Sequence, residues 1–405
     1  MQRVLMVAAE NGSLVNGKVG GIGDVIRDVP KYLVKQDVNV DVILPSYGFL
    51  AENNRGEVEC VLDVPFCGLY ETVKLLRLVD QSTASCSQWL LDHPSFVCAS
   101  RNGIYCDQDD QGPFAFDAAK FALFCSAVCT LIRDYWRERI DVIHLHDWHA
   151  ALVAVIREFD PAYRILKNYQ CVYTIHNLAI QGIRPFAGTV SAFNTWFPNL
   201  SYTKENILDP VYQECFNPVR AAINFSDKVH AVSPNYAREI TKASDYSRGY
   251  YGGENLHLDL QRAKAEKRLV GILNGCEYWS TEPKDAKSWQ MFCQRAEAEL
   301  YKWMSLNREV LSSHHIAAKR LENWSSNSQS TPLITSIGRL TSQKFALLLN
   351  STPQGVPLAR ILDVLAECNG RIVVIGSGEP NIENELCRLM GQHRNLLFLN
   401  GYSEN

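Results

Sequence analysis

Much is missing from this 405-residue chain, and each absence narrows what it can be. It has no basic run and no acidic tail: 40 Lys and Arg stand against 44 Asp and Glu, a formal net charge of −4. That excludes a dedicated nucleic-acid surface and a solvating segment. The N-terminus enters a strand-like run at once, without an apolar leader or a small-residue cleavage site, and no later stretch reads as long enough to span a membrane. The expectation is a soluble, unexported protein with no membrane partner. The thirteen cysteines include no C-x-x-C pair. Odd in number and scattered through apolar segments such as Phe121 to Leu131, they read as reduced packing residues of a cytoplasmic protein. No internal repeat or low-complexity tract is present.

What is present is a rhythm. At this length a single core is too small an answer, and two domains are expected. Apolar, β-branched runs recur at Val4–Ala8, Val38–Leu44, Ile140–Leu145, Cys171–Ile175, Lys228–Val232 and Leu269–Leu273, separated mostly by helical patterns. This is the βαβ alternation of a parallel sheet covered on both faces. Alternating segments between 57 and 98, broken by Pro65 and Gly68, predict an antiparallel insertion at one edge. The sequence predicts a first domain over 1–275, a helical linker region over 276–330 and a second alternation over 331–405. That second part holds three strands, at Leu333–Ile337, Arg371–Ile375 and Asn395–Leu399, half of a doubly wound sheet. The fold class expected is therefore α/β, two Rossmann-like doubly wound domains, the second incomplete.

The polar clusters fall where strands end, the usual place for chemistry in such sheets. Lys18, Gly20, Gly21, Gly23 and Asp24 follow the first strand and open a helix, an arrangement suited to phosphate or sugar oxygens. Such glycines also make plain tight turns. His144, His146, Asp147, Trp148 and His149 end another strand; as metal ligands they are badly placed, because Asp147 at a helix start turns away, and a packed polar strand end is the simpler alternative. His176 and Asn177 end the next strand and could be a turn pair. Asn274 ends a later one. In the second alternation Arg339 and Lys344 flank a helix start and could be a solvated pair, while Gly376 and Gly378 could be an ordinary turn.

Taken in order, these segments resemble the glycogen and starch synthases, retaining glucosyltransferases of the two-Rossmann-domain GT-B architecture. The resemblance rests on Lys18-x-Gly20-Gly21 with Asp24, His146-Asp147-Trp148-His149, Tyr173 to Gly182, Ala231 to Glu239, Gly271 to Gly275 and Gly338 to Lys344. It implies an enzyme of glycogen biosynthesis that moves glucose from ADP-glucose, or UDP-glucose, to the non-reducing end of an α-1,4-glucan, without metal or cofactor. It further implies that His176, Arg339, Lys344 and Asp24 are catalytic. Lys18, Gly20, Gly21, His146, Asp147, Trp148, His149, Asn177, Asn274, Gly376 and Gly378 would bind substrate. Arg339 and Lys344 would neutralise the leaving phosphate.

The sequence departs from the family pattern in three places. Phe345 stands where family members usually carry glycine, so a displaced helix start is expected. Cys276-Glu277-Tyr278 replaces the commoner Val-Asp-containing segment. The chain ends at Asn405, before the family's paired glutamates and second glycine-rich loop, so a fragment that binds glucan without transferring glucose is an alternative expectation. Sucrose synthase-like and trehalose-forming enzymes fit the His146-to-His149 and Tyr173-to-Gly182 segments poorly. A nicotinamide oxidoreductase lacks its G-x-G-x-x-G after the first strand.

Overall fold

β1 (Arg3–Val7) is buried on both faces, which is why it reads as an unbroken apolar run rather than an alternating one. In the computed structural model, residues 2–98, 103–106, 114–275, 288–306, 310–326 and 332–401 are described, and the chain divides into two units, Met1–Cys276 and Glu277–Asn405. The strands of the first unit continue with β2 (Asn39–Pro45), β3 (Gly56–Phe66), β4 (Leu69–Leu78), β5 (Cys86–Asp92), β6 (Val142–His146), β7 (Gln170–Ile175), the short pair β8 (Arg184–Pro185) and β9 (Cys215–Phe216), β10 (Lys228–Ala231) and β11 (Leu269–Gly271). Nine of them form one sheet in the order β11-β10-β7-β6-β1-β2-β5-β4-β3. The seven from β11 to β5 run parallel, and β4 and β3 are added antiparallel at the edge, where the sequence predicts an insertion. The strand order reverses between β1 and β6, so the crevice beyond their carboxyl ends is the topological switch point.

At the opposite, amino ends of these strands the buried Asp41 carboxylate accepts from Arg3 and Arg139 and, at 2.9 Å, from Trp89 Nε1. Arg157 is a second internal clamp, donating to the carbonyls of Leu166, Phe225 and Tyr169 and to Asp227.

One sequence expectation changes here. The helix Ala115–Asp134 is long and apolar enough to cross a membrane by length and composition, contrary to the expectation of no such stretch. It is buried along nearly its whole length inside the first unit, against β3 and the helix Leu152–Phe159. Its two buried charges, Asp117 and Lys120, pair internally at 2.6 Å, and the Lys120 ammonium also donates to the Ile104 carbonyl at 2.6 Å.

The second unit carries β12 (Leu333–Ile337), β13 (Arg371–Gly376) and β14 (Leu396–Asn400), all parallel in that order. The helical stretch that the sequence sets apart as a linker contributes Trp289–Leu306 and Ser312–Ser325, which pack together, and the latter lies on β14. Arg320 holds it there, donating to the carbonyls of Met390, His393 and Leu396. The helix Ser342–Leu349 follows Thr341 directly, and Phe345 is buried in the core of this unit. Cys276 to Tyr278 lie outside the described residues.

Candidate functional site

The glycine-rich loop after β1 is built on a carboxylate. Glu10 is 2% exposed; one of its oxygens accepts the N–H groups of Val19 at 2.9 Å and Gly20 at 2.5 Å, and the other accepts the Tyr105 hydroxyl at 2.7 Å. The sequence could aim those two N–H groups at a ligand; the structure satisfies them internally. Asn11 reinforces the loop, donating to Gln88 and receiving the Ser13 N–H. The glycines divide by task. A Cβ on Gly23 would lie 2.9 Å from the Lys18 side chain and 3.3 Å from the Gly12 nitrogen, so Gly23 serves close packing. A Cβ on Gly21 would meet nothing within 4 Å, so Gly21 faces open space at the first turn of a helix with no side-chain cap. Lys18 pairs with Asp24 at 2.9 Å, and Asp24 also pairs with Arg27 at 3.0 Å.

β6 places His144 and His146 two residues apart, hence on one face, with rings 4.2 Å apart. His146 Nδ1 lies 3.0 Å from His176 Nε2, beyond the end of β7. His144 Nε2 lies 2.7 Å from Thr174 Oγ1, which is 3.0 Å from His230 Nδ1 on β10. Four imidazoles thus lie across three neighbouring strands. Burial is the main force holding them neutral: it pushes His144 and His176 down to about 3 and His146 well below the usual imidazole range, and the neighbouring rings push the same way.

Asp147 follows at φ 54°, a left-handed conformation that Asp tolerates better than most residues. Its carboxylate accepts the His176 N–H at 2.7 Å. Burial raises its pKa to about 7, the backbone donors of His176 and Asn177 oppose that rise, and the Glu10 charge adds to it. Trp148 and His149 are core residues. The Trp148 ring lies where a Gly182 Cβ would need to be, 2.4 Å away, and His149 packs on Phe121 and Tyr105. Tyr105 therefore joins the glycine loop, through Glu10, to the β6 segment, through His149. Asn177 accepts the Ala179 N–H at 3.0 Å, the turn role weighed above. Asn274 is exposed beyond the edge strand β11 and is not gathered with the histidines.

Among the described residues the histidines do not converge as a metal site. Cys98, Cys106 and Asp117 do bring three ligand atoms together, but Lys120 donates to Asp117 at 2.6 Å and sits 3.5 Å from Cys98, supplying the positive charge there itself.

In the second unit Arg339 and Lys344 are both exposed. Gly376 and Gly378 have a structural need: a Cβ on them would lie 2.0 Å from the Gly338 carbonyl oxygen and 2.2 Å from that of Leu340. The Glu379 carboxylate accepts from the Ser342 N–H and hydroxyl, capping the helix that carries Lys344. Sequence reasoning missed Glu10, Tyr105 and His230 as members of the site, and gave Thr174, inside the Tyr173-to-Gly182 segment, no role of its own. Only Glu10, an acid between an apolar strand and a glycine loop, left a signal.

The starch synthase catalytic domain family matches residues 3–262. A glycogen synthase of Lacticaseibacillus casei is 28% identical over 96% of this chain and 72% of its own length. One from Clostridioides difficile is 30% identical over 91% of this chain and 68% of its own. The catalytic domain of starch synthase IV from Arabidopsis thaliana, solved bound to ADP and acarbose, is 24% identical and superposes with a TM-score of 0.68 over all of this chain and 74% of that one, which establishes the fold. With its switch-point loop and histidine row, this chain belongs to the glycogen and starch synthase family of GT-B glycosyltransferases.

Proposed function

We propose that this chain transfers glucose from ADP-glucose to the non-reducing end of an α-1,4-glucan with retention of configuration. The observation that carries this reading is the placement of an open glycine at a helix N-terminus after β1, and of a neutral, half-buried histidine after β7, at the carboxyl ends of the two strands that flank β6. Gly21 lets a donor or sugar oxygen approach backbone N–H groups closely, with Lys18 and Asp24 beside it. His176 supplies a ring nitrogen to the glucosyl unit. Arg339 and Lys344 neutralise charge that builds on the departing phosphate. Their exposure fits that task, since a buried and already paired cation would have less to offer.

The carboxylates support transfer without a covalent intermediate. A retaining glycosidase needs one carboxylate free to attack the sugar. Here Glu10 holds a loop, Asp147 holds a strand end and Asp24 is paired with two cations. Positional and electrostatic stabilisation of an oxocarbenium-like species, with the leaving phosphate taking the acceptor proton, needs none of them. The Arabidopsis enzyme's bound ADP favours the adenine donor. Labelled ADP-glucose and UDP-glucose offered in parallel with glycogen as primer test the proposal. Transfer mainly from ADP-glucose is expected; transfer mainly from UDP-glucose, or from neither, rejects it.

A further inference from the structure

His146 has a buried Nε2 with no hydrogen-bond partner, while its Nδ1 lies 3.0 Å from His176 Nε2. Both rings are neutral, so one of the two facing nitrogens carries the proton and the other accepts it. If His176 were the donor, the His146 proton would sit on Nε2, leaving a buried N–H with nothing to bond. If His146 is the donor, what remains on Nε2 is an unmet lone pair. Orphaned buried N–H groups are the rarer and more costly defect. The second arrangement wins.

We propose that His146 is a positioning residue that donates its Nδ1–H to His176 Nε2 and thereby fixes the His176 proton on Nδ1, as a donor toward a hydroxyl or ring oxygen of the bound sugar. The inference rests on the reading of His176 as a sugar-side group. Among the described residues nothing else bonds His176 Nδ1, so that N–H is left for ligand.

The surrounding row keeps His146 in place and has its own direction. The Ile272 carbonyl, 3.4 Å from His230 Nε2, can only accept, so His230 carries its proton there and accepts from the Thr174 hydroxyl at Nδ1. With that hydroxyl proton committed, His144 Nε2 donates to Thr174 Oγ1. His144, so fixed, packs against the His146 ring with centroids 4.2 Å apart and limits its rotation. Asp147, one residue on, holds the His176 main chain, so ring and backbone of His176 are set by adjacent residues of one segment.

The test pairs a direct reading of the tautomer with two substitutions. Long-range proton–nitrogen NMR of the histidine-labelled protein should show His176 protonated at Nδ1 with a pyridine-like Nε2. His146→Asn, whose amide N–H stands near the Nδ1 position, should keep that tautomer and most of the turnover. His146→Leu should give a mixed His176 tautomer and lower kcat on the order of 10²-fold, the scale of a misplaced reacting group, with KM for glucan little changed. A wild-type His176 protonated at Nε2 overturns the proposal whether or not either variant folds. So does an unchanged tautomer in His146→Leu. If instead the tautomer is fixed as stated while His176→Ala transfers glucose normally, the sugar-side role fails and the positioning stands.

Discussion

Single side chains carry the sharpest tests. Glu10 accepts three donors at once, so Glu10→Gln turns one acceptor oxygen into an NH₂ facing an N–H or O–H. A loss of about 1–3 kcal/mol in urea unfolding is expected, the scale of one buried unsatisfied donor; unchanged stability would show that the loop stands without its carboxylate. Asp147 gives a pH signature. Its folded carboxyl keeps its proton up to about pH 7, whereas the unfolded one releases it near 4, so its contribution to stability is full below pH 4 and is lost as pH rises through 7. Asp147→Asn retains the left-handed backbone and removes the titration. Between pH 5 and 7 the wild type should lose about 1.4 kcal/mol per pH unit relative to the variant. Parallel pH profiles of the two proteins would remove this account. In the second unit, the proposed role of Arg339 and Lys344 predicts that Arg339→Ala and Lys344→Ala each lower turnover on the order of 10²–10³-fold while leaving glucan binding nearly unchanged, because each cation would act on charge absent from the ground state. Normal turnover would return them to the solvated pair.

At the level of elements, the glycine loop separates packing from function. Gly23→Ala should destabilise the first unit, because the new methyl meets the Gly12 backbone as well as a lysine stem. Gly21→Ala should leave thermal stability equal or slightly higher, since a helical glycine is replaced without a clash, yet reduce transfer by crowding the open face. Equal activity in both variants would detach the loop from the chemistry. The contrast also shows where sequence reading succeeds and where it stops. β1, β2, β6, β7 and β10 were legible because strands covered on both faces need unbroken apolar runs, and such runs stand out. The loop was legible as glycines after a strand, but its Glu10 support was not, because one acid among 44 acquires a role only through where it points. His230 was hidden for the same reason: its partner Thr174 lies 56 residues earlier and meets it only across paired strands. For Gly376 and Gly378 the sequence offers a turn or a substrate contact, and only the passage of the Gly338–Leu340 backbone beside them reveals the packing need.

Over the whole molecule, neutral buried histidines set the acid limit. His144 and His176 titrate near 3 when folded and near 6.5 when unfolded, and His146, His149 and His230 are depressed as well. The unfolded chain binds more protons between those values, so this stability is complete above about pH 6.5 and is lost as pH falls toward 3. Asp147 opposes the trend with one proton against five. The urea midpoint of the first unit should therefore fall steeply from pH 7 to pH 5, and a flat midpoint would mean that the row is hydrated. The strand order has a consequence in time. β1 lies between β2 and β6, and β6 begins at Val142, 135 residues after β1 ends at Val7. At a synthesis rate of roughly 5–20 residues per second, one side of β1 stays bare for on the order of ten seconds after it leaves the ribosome. A nascent chain arrested before Val142 would carry an apolar, half-paired strand and no histidine row, a natural target for chaperones, and the site takes shape only once translation has delivered the strand that closes it.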